Sequence, residues 1–184
     1  MNLTEQLRAY QPCCEQERAD RELMLHYLEH FPHVLTRENP TAHFTASAWV
    51  VTPKRDQVLM VYHNIYDSWS WTGGHADGEE DLLQVALREV SEETGLKNIR
   101  PVTEEIWSVE ILGVPAHVRR GKFVSAHLHP NVTYLIEADE TEALAVKQDE
   151  NSAVRWFPAG EVVSSSSEPE MRVVYQKLMD KLNP

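Results

Sequence analysis

The chain contains 184 residues, a length typical of one domain, and its 42% hydrophobic and 25% charged residues exclude wholesale disorder. Lys and Arg number 17 against 29 Asp and Glu, which gives a formal net charge of −12. Such an acidic surface repels phosphate backbones and excludes long nucleic acid and anionic membranes as partners. A small anionic molecule could bind only through a cation, of which a divalent metal is the obvious kind.

The first half of the chain is predicted to contain one helix and then a pair of strands. Apolar residues at helical spacing predict a helix over residues 15–31. Residues rich in β-formers predict strands over 43–51 and 57–62, and the short turn between them is typical of a hairpin. We expect residues 64–71 to form an aromatic loop that ends at a pair of glycines.

The second half is dominated by a strong helix predicted over residues 81–94, with Gly95 in the position of a C-terminal cap. The elements predicted after it are strands over 104–112, 124–138 (interrupted near Pro130) and 154–157, an acidic loop over 139–151, a polar loop over 164–167 and a helix over 171–182. Strands combined with helices at both ends predict an α/β fold, or α+β in strict usage.

The apolar stretches and the cysteines of the sequence indicate the cellular compartment. No stretch approaches the roughly 18 apolar residues that a membrane span requires. Cys13 and Cys14 are adjacent, which fits neither a disulfide framework nor a spaced metal site. We therefore expect a cytoplasmic protein in which the two cysteines are incidental.

The candidate catalytic and metal-binding residues are most concentrated in residues 74–96, which read GHADGEEDLLQVALREVSEETGL. On a helix, Glu89, Glu92 and Glu93 share one face, because residues three and four apart are neighbours. A separate apolar stripe is formed by Leu83, Ala86, Leu87 and Val90. The helix is thus predicted to pack one face on a core and to gather negative charge on another.

Like charges at this spacing destabilise an isolated helix by roughly 0.2–0.5 kcal/mol per pair. A hard cation such as Mg²⁺ or Mn²⁺ compensates them, since carboxylate oxygens are its preferred ligands. Arg88 is placed to hold one carboxylate through a bidentate hydrogen bond. Gly73 and Gly74 allow the backbone to approach the metal closely. For each short run of charged residues taken alone, such as Arg-Glu or Glu-Glu, a solvent-exposed helix face remains the alternative.

Taken together, these residues resemble the signature of the Nudix hydrolases. That signature is Gly, five residues, Glu, seven residues, Arg-Glu, an aliphatic, any residue, Glu-Glu, any residue, Gly and an aliphatic. Each defined position is occupied here, by Gly74, Glu80, Arg88, Glu89, Val90, Glu92, Glu93, Gly95 and Leu96. The resemblance extends over about residues 43–157 and leaves the first 40 residues unmatched.

The resemblance implies a three-layer α/β/α sandwich with a mixed sheet, preceded by an extra N-terminal helix. Residues 1–40 would form an extension packed on a domain of residues 41–184. The implied activity is the metal-dependent hydrolysis of a diphosphate linkage by in-line attack of water on phosphorus. Glu89, Glu92 and Glu93 would bind Mg²⁺ or Mn²⁺, the Gly74 carbonyl would contribute a contact and Glu80 would support the site.

The general base has three candidates. The resemblance allows either a helix glutamate, Glu92 or Glu93, or an acid from a later loop. Glu150 precedes the predicted strand 154–157, where several relatives carry such an acid. Glu150 is a candidate for the base or for an extra metal ligand, and a plain surface loop residue is the alternative.

Two clusters are candidates for substrate contact. His117, His127 and His129 lie in the main basic region, interleaved with Arg119, Arg120 and Lys122, and His75 follows the glycine pair. We expect at least one of these histidines to contact phosphate, while an exposed hairpin loop is the structural alternative. Their spacing lacks the ligand pairs of known zinc motifs, which argues against a zinc site.

The second cluster is aromatic. Trp69 alternates with Trp71, near Tyr66 and beside the glycine pair, so stacking on a base is possible. Core packing is the commoner role of such residues. No flanking motif identifies a family subgroup, so the substrate class stays at a nucleoside diphosphate derivative or similar small molecule.

Two alternative functions and the oligomeric state remain open. A non-catalytic nucleotide sensor of the same fold is the first alternative. An enzyme resembling isopentenyl-diphosphate isomerase is the second, but that activity needs a catalytic cysteine, and Cys13 and Cys14 are far from the signature. A monomer and a homodimer are both compatible with the sequence.

Overall fold

The structure is a computed structural model that describes residues 1–119 and 121–182, so Arg120 lies outside the described residues. The described elements are α1 (Leu3–Ala9), α2 (Glu15–His30), β1 (Thr45–Val51), β2 (Gln57–His63), β3 (Ser68–Ser70), β4 (Thr72–His75), α3 (Leu82–Thr94), β5 (Ile99–Pro101), β6 (Ser108–Val114), β7 (His117–Arg119), β8 (Lys122–Val124), β9 (His127–Ala138), β10 (Asn151–Pro158), α4 (Val162–Ser165) and α5 (Pro169–Leu182). None of the helices in this part of the chain combines the length and apolar character that a membrane span requires.

Eight of the described strands form one sheet with the order β10-β2-β1-β9-β5, while β3 pairs with β2, β4 with β1 and β6 with β9. β1 and β2 are antiparallel, as the predicted hairpin requires. A parallel bridge joins Ala42 to Leu128. β7 and β8 form a separate antiparallel pair. The predicted α/β sandwich with a mixed sheet is confirmed.

Contacts between residues divide the chain into two compact units. The first comprises Met1–Ser47, Gly74–Val85 and Glu104–Tyr134. In this unit α2 lies against β6. The Gln16 side chain donates to the Val109 carbonyl at 2.9 Å, and the Asp20 carboxylate accepts from the Ile111 backbone N–H at 2.9 Å. Polar side chains of α2 therefore bond directly to the backbone of a strand.

A buried carboxylate reinforces this contact. Glu17 is fully buried and accepts hydrogen bonds from the Tyr10 hydroxyl at 2.6 Å and the Cys13 backbone N–H at 2.8 Å. The Ser108 hydroxyl on β6 lies 3.0 Å from Glu17 and also contacts the buried carboxylate of Glu110. Buried polar groups need such partners, since an unsatisfied one costs about 1–3 kcal/mol. Glu17 thus ties α1, α2 and β6 together.

The second unit comprises Ala48–Gly73, Ala86–Thr103 and Leu135–Pro184. β10 pairs with β2 along its length, and Phe157 lies opposite Val58. On α5 the buried Tyr175 packs its ring 5.3 Å from that of Trp49 and 5.5 Å from that of Trp71, measured between centroids. α5 therefore covers aromatic side chains of β1 and of the β3–β4 connection.

Gly95 ends α3 as predicted. Its backbone N–H donates to the Ser91 carbonyl at 3.0 Å, and its φ of +77° is in the left-handed region that favours glycine. A Cβ at this position would lie 2.7 Å from the Cβ of Ala145. Glycine is required here both for its backbone conformation and for the close approach of the loop after β9.

Several predicted boundaries differ from the structure. The predicted loop over 64–71 contains β3, and the glycine pair lies within β4. A short helix, α4, forms where a polar loop was predicted, and the N-terminal region holds α1 in addition to the single helix expected. These elements are three to seven residues long, too short for hydrophobic periodicity to reveal.

The predicted interruption near Pro130 is wrong. β9 is continuous over 12 residues, and Pro130 lies opposite Ile111 on β6. A proline removes one N–H donor from a strand, and the pairing of the residues on both sides persists here. β9 therefore carries His127 and His129 within a regular strand.

Candidate metal centre and histidine cluster

α3 presents its three predicted metal ligands on one side and its apolar residues on another. Its buried residues include the predicted Leu83, Ala86 and Val90 as well as Leu82 and Val85. The glutamates differ in burial: Glu93 is 4% exposed, the Glu89 side chain 14% and the Glu92 side chain 48%. The exposure of the three carboxylates therefore increases from the buried Glu93 through Glu89 to the half-exposed Glu92.

Glu93 is held by two donors. The Gly73 backbone N–H donates to its Oε1 at 2.9 Å, and the Asn151 side-chain amide donates to its Oε2 at 2.7 Å. Burial raises the pKa of Glu93 to about 7, although these two bonds oppose the shift. The negative charges of Glu89 and Glu150 add to it. Glu93 is thus fixed in orientation and surrounded by like charge.

Lys147 supplies a cation to these acids. Its ammonium lies 2.9 Å from a Glu150 oxygen and 3.4 Å from a Glu92 oxygen. Burial alone would lower the pKa of Lys147, but the bond to Glu150 and the charges of Glu150 and Glu89 raise it above its ordinary value. For Glu89, burial and then the charge of Glu92 raise the pKa, and Lys147 and Arg88 oppose them. We call Glu89, Glu92, Glu93 and Glu150 the carboxylate cluster.

Arg88 contacts two members of the carboxylate cluster. A guanidinium nitrogen lies 3.5 Å from an oxygen of Glu89, and another lies 3.9 Å from an oxygen of Glu92. These are ion pairs at more than hydrogen-bond distance, whereas a bidentate bond to one carboxylate was predicted. Arg88 therefore supplies positive charge to both glutamates from the half-exposed side of α3.

The donor chemistry of the cluster fits a hard divalent cation. Carboxylates are the preferred ligands of Mg²⁺ and Mn²⁺, and here two of them, those of Glu92 and Glu150, already contact an ammonium. Next to Glu93, the buried Oδ1 of Asn151 finds no donor among the described residues. Within the described residues, Glu89, Glu92 and Glu93 do not each place a carboxylate oxygen within 4.8 Å of the other two. Their side chains must therefore rotate to share one ion.

The other predicted residues of the signature lie at the start of this region. Gly74 is half-buried within β4, and Glu80 is exposed two residues before α3 begins. Glu150 lies just before β10, and its backbone carbonyl accepts from the Asn64 N–H at 3.0 Å. The structure thus brings Glu150 to Lys147 and leaves the Glu80 side chain exposed.

Sequence reasoning missed two residues of this site, Lys147 and Asn151. Asn151 is fully buried and directly follows Glu150, and Lys147 lies three residues before it. A lysine inside an acidic loop and an asparagine at a strand start are common surface features, so the sequence carried no specific signal for either. Only the contacts with α3 reveal them.

The aromatic cluster is packed within its own unit. The half-buried Trp69 ring meets Phe157 edge-on with centroids 4.8 Å apart, and it meets Tyr62 at 5.3 Å. The guanidinium of Arg155 lies 3.9 Å from the Phe157 ring centroid. Tyr66 packs on His63 at 4.5 Å. These contacts are those of structural packing, and a role of Trp69 in substrate stacking stays a prediction.

Four histidines gather in the first unit. The ring of His43, in the segment before β1, lies 4.9–5.2 Å from those of His75, His127 and His129, between centroids. His75 lies 4.8 Å from His129, and His127 lies 4.9 Å from His129. The predicted His117 is exposed on β7, and its ring lies 6.2 Å from that of His127. We call the first four the histidine cluster.

Two of these histidines are neutral near pH 7. Burial, together with the charges of His75 and His43, lowers the pKa of His129 to about 2. Burial also lowers the pKa of His43, against a hydrogen bond to the Asn39 carbonyl that raises it. A neutral imidazole offers a lone pair and carries no charge for a phosphate. This chemistry suits metal ligation better than direct attraction of an anion.

Comparison with known proteins identifies the family. A model of the NUDIX domain matches residues 41–180. The chain is 34% identical over 119 residues to m7GpppN-mRNA hydrolase NUDT17 of Xenopus laevis, an alignment covering 59% of the chain and 36% of that protein. It is 29% identical over 105 residues to a probable DHNTP pyrophosphohydrolase of Lactococcus lactis subsp. cremoris, covering 57% of the chain and 60% of that protein. The chain thus spans less than two thirds of either relative.

A solved structure shows the same fold at lower identity. The crystal structure of a binary complex of a C. elegans Ap4A hydrolase has a TM-score of 0.54 at 18% identity, and the match covers 76% of the chain and 93% of that structure. The domain match covers most of the chain, and the signature residues 74–96 lie inside it. The chain therefore belongs to the Nudix hydrolase family.

Proposed function

We propose that the protein hydrolyses a diphosphate linkage in a nucleoside diphosphate derivative or similar small phosphorylated molecule, using Mg²⁺ or Mn²⁺. The observation that carries the proposal is the carboxylate cluster, in which Lys147 joins Glu92 of α3 to Glu150. Both curated relatives are named as hydrolases, which supports the reaction class. The negative surface that excludes nucleic acid makes a cation necessary for an anionic substrate.

Glu89, Glu92 and Glu93 are the residues that would hold the ion, with the Gly74 carbonyl as a further contact. Bound there, a hard divalent cation lowers the pKa of water and neutralises charge on phosphoryl oxygens. Glu93 presents an orientation already fixed by Gly73 and Asn151. Preorganised ligands of this kind reduce the reorganisation that ion binding requires.

The remaining charged residues position these ligands and handle the proton. Arg88 and Lys147 limit the repulsion between Glu89 and Glu92. We assign the role of general base to Glu150, because Glu92 and Glu93 are both proposed as metal ligands and both oxygens of Glu93 also accept hydrogen bonds. In this role the Glu150 carboxylate takes a proton from the attacking water. Glu80 would support the start of α3 from outside.

The extension and the substrate contacts complete the proposal. We infer that residues 1–40 form an extension outside the matched domain, held to β6 through Glu17 and Asp20. A hydrogen bond from a ring N–H of His75, His117, His127 or His129 to a phosphate oxygen, and base stacking on Trp69, are further parts of the proposal. We expect a cytoplasmic monomer or homodimer.

A substrate panel tests the reaction class. We expect release of phosphate or nucleotide from at least one of ADP-ribose, NADH, coenzyme A, nucleotide sugars, dinucleoside polyphosphates or nucleoside triphosphates, with either metal. EDTA should abolish turnover, because the carboxylate cluster needs its cation. Product analysis by liquid chromatography provides the measurement. If no substrate turns over with Mg²⁺ or Mn²⁺, while nucleotides still bind, the chain is a nucleotide sensor.

Replacing Glu150 tests the assignment of the base. We expect Glu150→Gln to lower kcat by about 10²–10⁴-fold, the usual contribution of a general base, with little change in KM. The matched control is Glu140→Gln in the same acidic loop, which should keep the activity of the wild-type protein. Initial rates on the best substrate of the panel give both constants. Full activity in Glu150→Gln would transfer the role to Glu92 or Glu93.

A further inference from the structure

We propose that His43, His75 and His129 form a binding site for one transition-metal ion, zinc in particular, distinct in its ligands from the carboxylate cluster. One ring nitrogen of each lies within 4.8 Å of those of the other two. The three residues come from the segment before β1, from β4 and from β9. The site is therefore assembled by the tertiary structure and carries no spacing motif in the sequence.

The backbone of the first unit fixes two of these ligands. The His43 backbone N–H donates to the Leu128 carbonyl at 3.1 Å, which holds His43 beside β9. The carbonyl of the next residue, Phe44, accepts a hydrogen bond from the N–H of Ala76 at 3.0 Å. Ala76 directly follows His75, so this bond holds the backbone of His75 beside that of His43. The backbone segments that carry the three histidines are thus hydrogen-bonded to one another, which keeps their side chains on neighbouring stretches of chain.

The hydrogen bonds of His43 determine which of its nitrogens is available. Its Nδ1 lies 3.0 Å from the Asn39 carbonyl oxygen, which can only accept, so Nδ1 carries the proton. Nε2 is therefore unprotonated in the neutral ring. A ligand histidine whose second nitrogen donates to a backbone carbonyl is the common arrangement in metal sites. His43 is 6% exposed, so this lone pair lies in the protein interior.

His127 determines in the same way which nitrogen of His129 is available. The Nδ1 of His127 lies 2.9 Å from the Ser125 carbonyl oxygen and must donate, which leaves its Nε2 as an acceptor. This Nε2 lies 3.1 Å from the Nε2 of His129. In the neutral rings His129 therefore donates from Nε2, and its Nδ1 has the lone pair. His127 acts here as a positioning residue for His129.

Zinc is the ion that this donor set favours. Neutral imidazole suits Zn²⁺, whereas Mg²⁺ prefers oxygen ligands. A tetrahedral ion with bonds of about 2.0–2.1 Å sets its ligand nitrogens about 3.3 Å apart, so the rings must approach modestly on binding. Three histidines leave a fourth position open to water or to an anionic oxygen. At the edge of the cluster, the cation Arg37 is neutralised by Asp77 through bonds of 2.9 and 2.6 Å.

Zinc titration of the full chain, after removal of metals by a chelator, tests the proposal. We expect one equivalent of Zn²⁺ to bind in competition with a chromophoric chelator, and Co²⁺ to give the visible absorption of a tetrahedral site. His43→Ala and His129→Ala should each weaken zinc binding by at least about a hundredfold. The matched control His30→Ala, at an exposed position at the end of α2, and Glu92→Gln, in the carboxylate cluster, should bind zinc as the wild-type protein does.

Two results would overturn the site. One is a wild-type chain that binds no zinc and gives no Co²⁺ spectrum, and the other is equal zinc binding in the histidine variants. Circular dichroism identifies any variant that fails to fold, and the less buried His75→Gln then provides the comparison. A rise of the wild-type Tm on adding zinc, absent in His75→Gln, is an independent readout. None of these measurements depends on hydrolytic activity, so the outcome is separate from that of the proposed function.

Discussion

Replacing Glu93 with glutamine is expected to lower kcat/KM by more than about a hundredfold on the best substrate of the panel. The variant loses a negative charge from the proposed metal ligands. Its amide also faces two donors, the Gly73 N–H and the Asn151 side chain, where only one of its two ends can accept. We therefore expect a second effect, a loss of about 1–3 kcal/mol of stability from one unsatisfied buried bond.

Three measurements separate these effects. Steady-state kinetics at several Mg²⁺ and Mn²⁺ concentrations give the loss of activity, Mn²⁺ titration gives the loss of metal affinity, and thermal unfolding gives the change in stability. The matched control is Glu22→Gln, an exposed glutamate of α2, which should change none of the three. A Glu93→Gln protein within twofold of wild-type kcat/KM would show that Glu93 is not a functional ligand.

The largest effect on stability is expected for Glu17→Ala, which should lower the free energy of unfolding by about 3 kcal/mol. The substitution removes the acceptor for the Tyr10 hydroxyl and the Cys13 N–H, and a partner of the Ser108 hydroxyl, all at a fully buried position. For a chain of this length the loss corresponds to roughly 6–12 °C in Tm. Urea unfolding followed by circular dichroism measures it.

The same helix provides the control for this prediction. Glu22→Ala removes an exposed carboxylate and should stay within about 0.5 kcal/mol of wild type. A change below about 1 kcal/mol in Glu17→Ala would mean that water satisfies the abandoned donors. It would also remove the main argument that the N-terminal helices are held to β6 by buried polar bonds.

The most reliable sequence predictions concern long, regular elements. α3 begins at Leu82 and ends at Thr94, within one residue of the prediction, because its apolar stripe and its capping Gly95 are both local signals. The β1–β2 hairpin was also correct, since two segments rich in β-formers on either side of a short turn define it. The signature glutamates follow from the same helix, because spacing on a helix decides which residues share a face.

What the sequence could not supply depends on contacts between distant segments. Lys147 lies 55 residues from Glu92, and no pattern in the acidic loop distinguishes it from a surface lysine. Asn151 lies 58 residues from Glu93. The histidine cluster has the same origin, since His43, His75 and His129 become neighbours only when their segments are paired. The spacing of these histidines along the sequence therefore carries no information about a zinc site built from three separate segments.

Pro130 has a consequence for the histidine that precedes it. A residue before proline is sterically restricted to extended backbone conformations, in the unfolded chain as well as in the folded one. His129 needs such a conformation within β9. The unfolded chain therefore samples fewer alternatives at this position, and less conformational entropy is lost when the residue becomes ordered. Replacing Pro130 would enlarge that ensemble without changing a single imidazole, so the proline supports the arrangement through the denatured state.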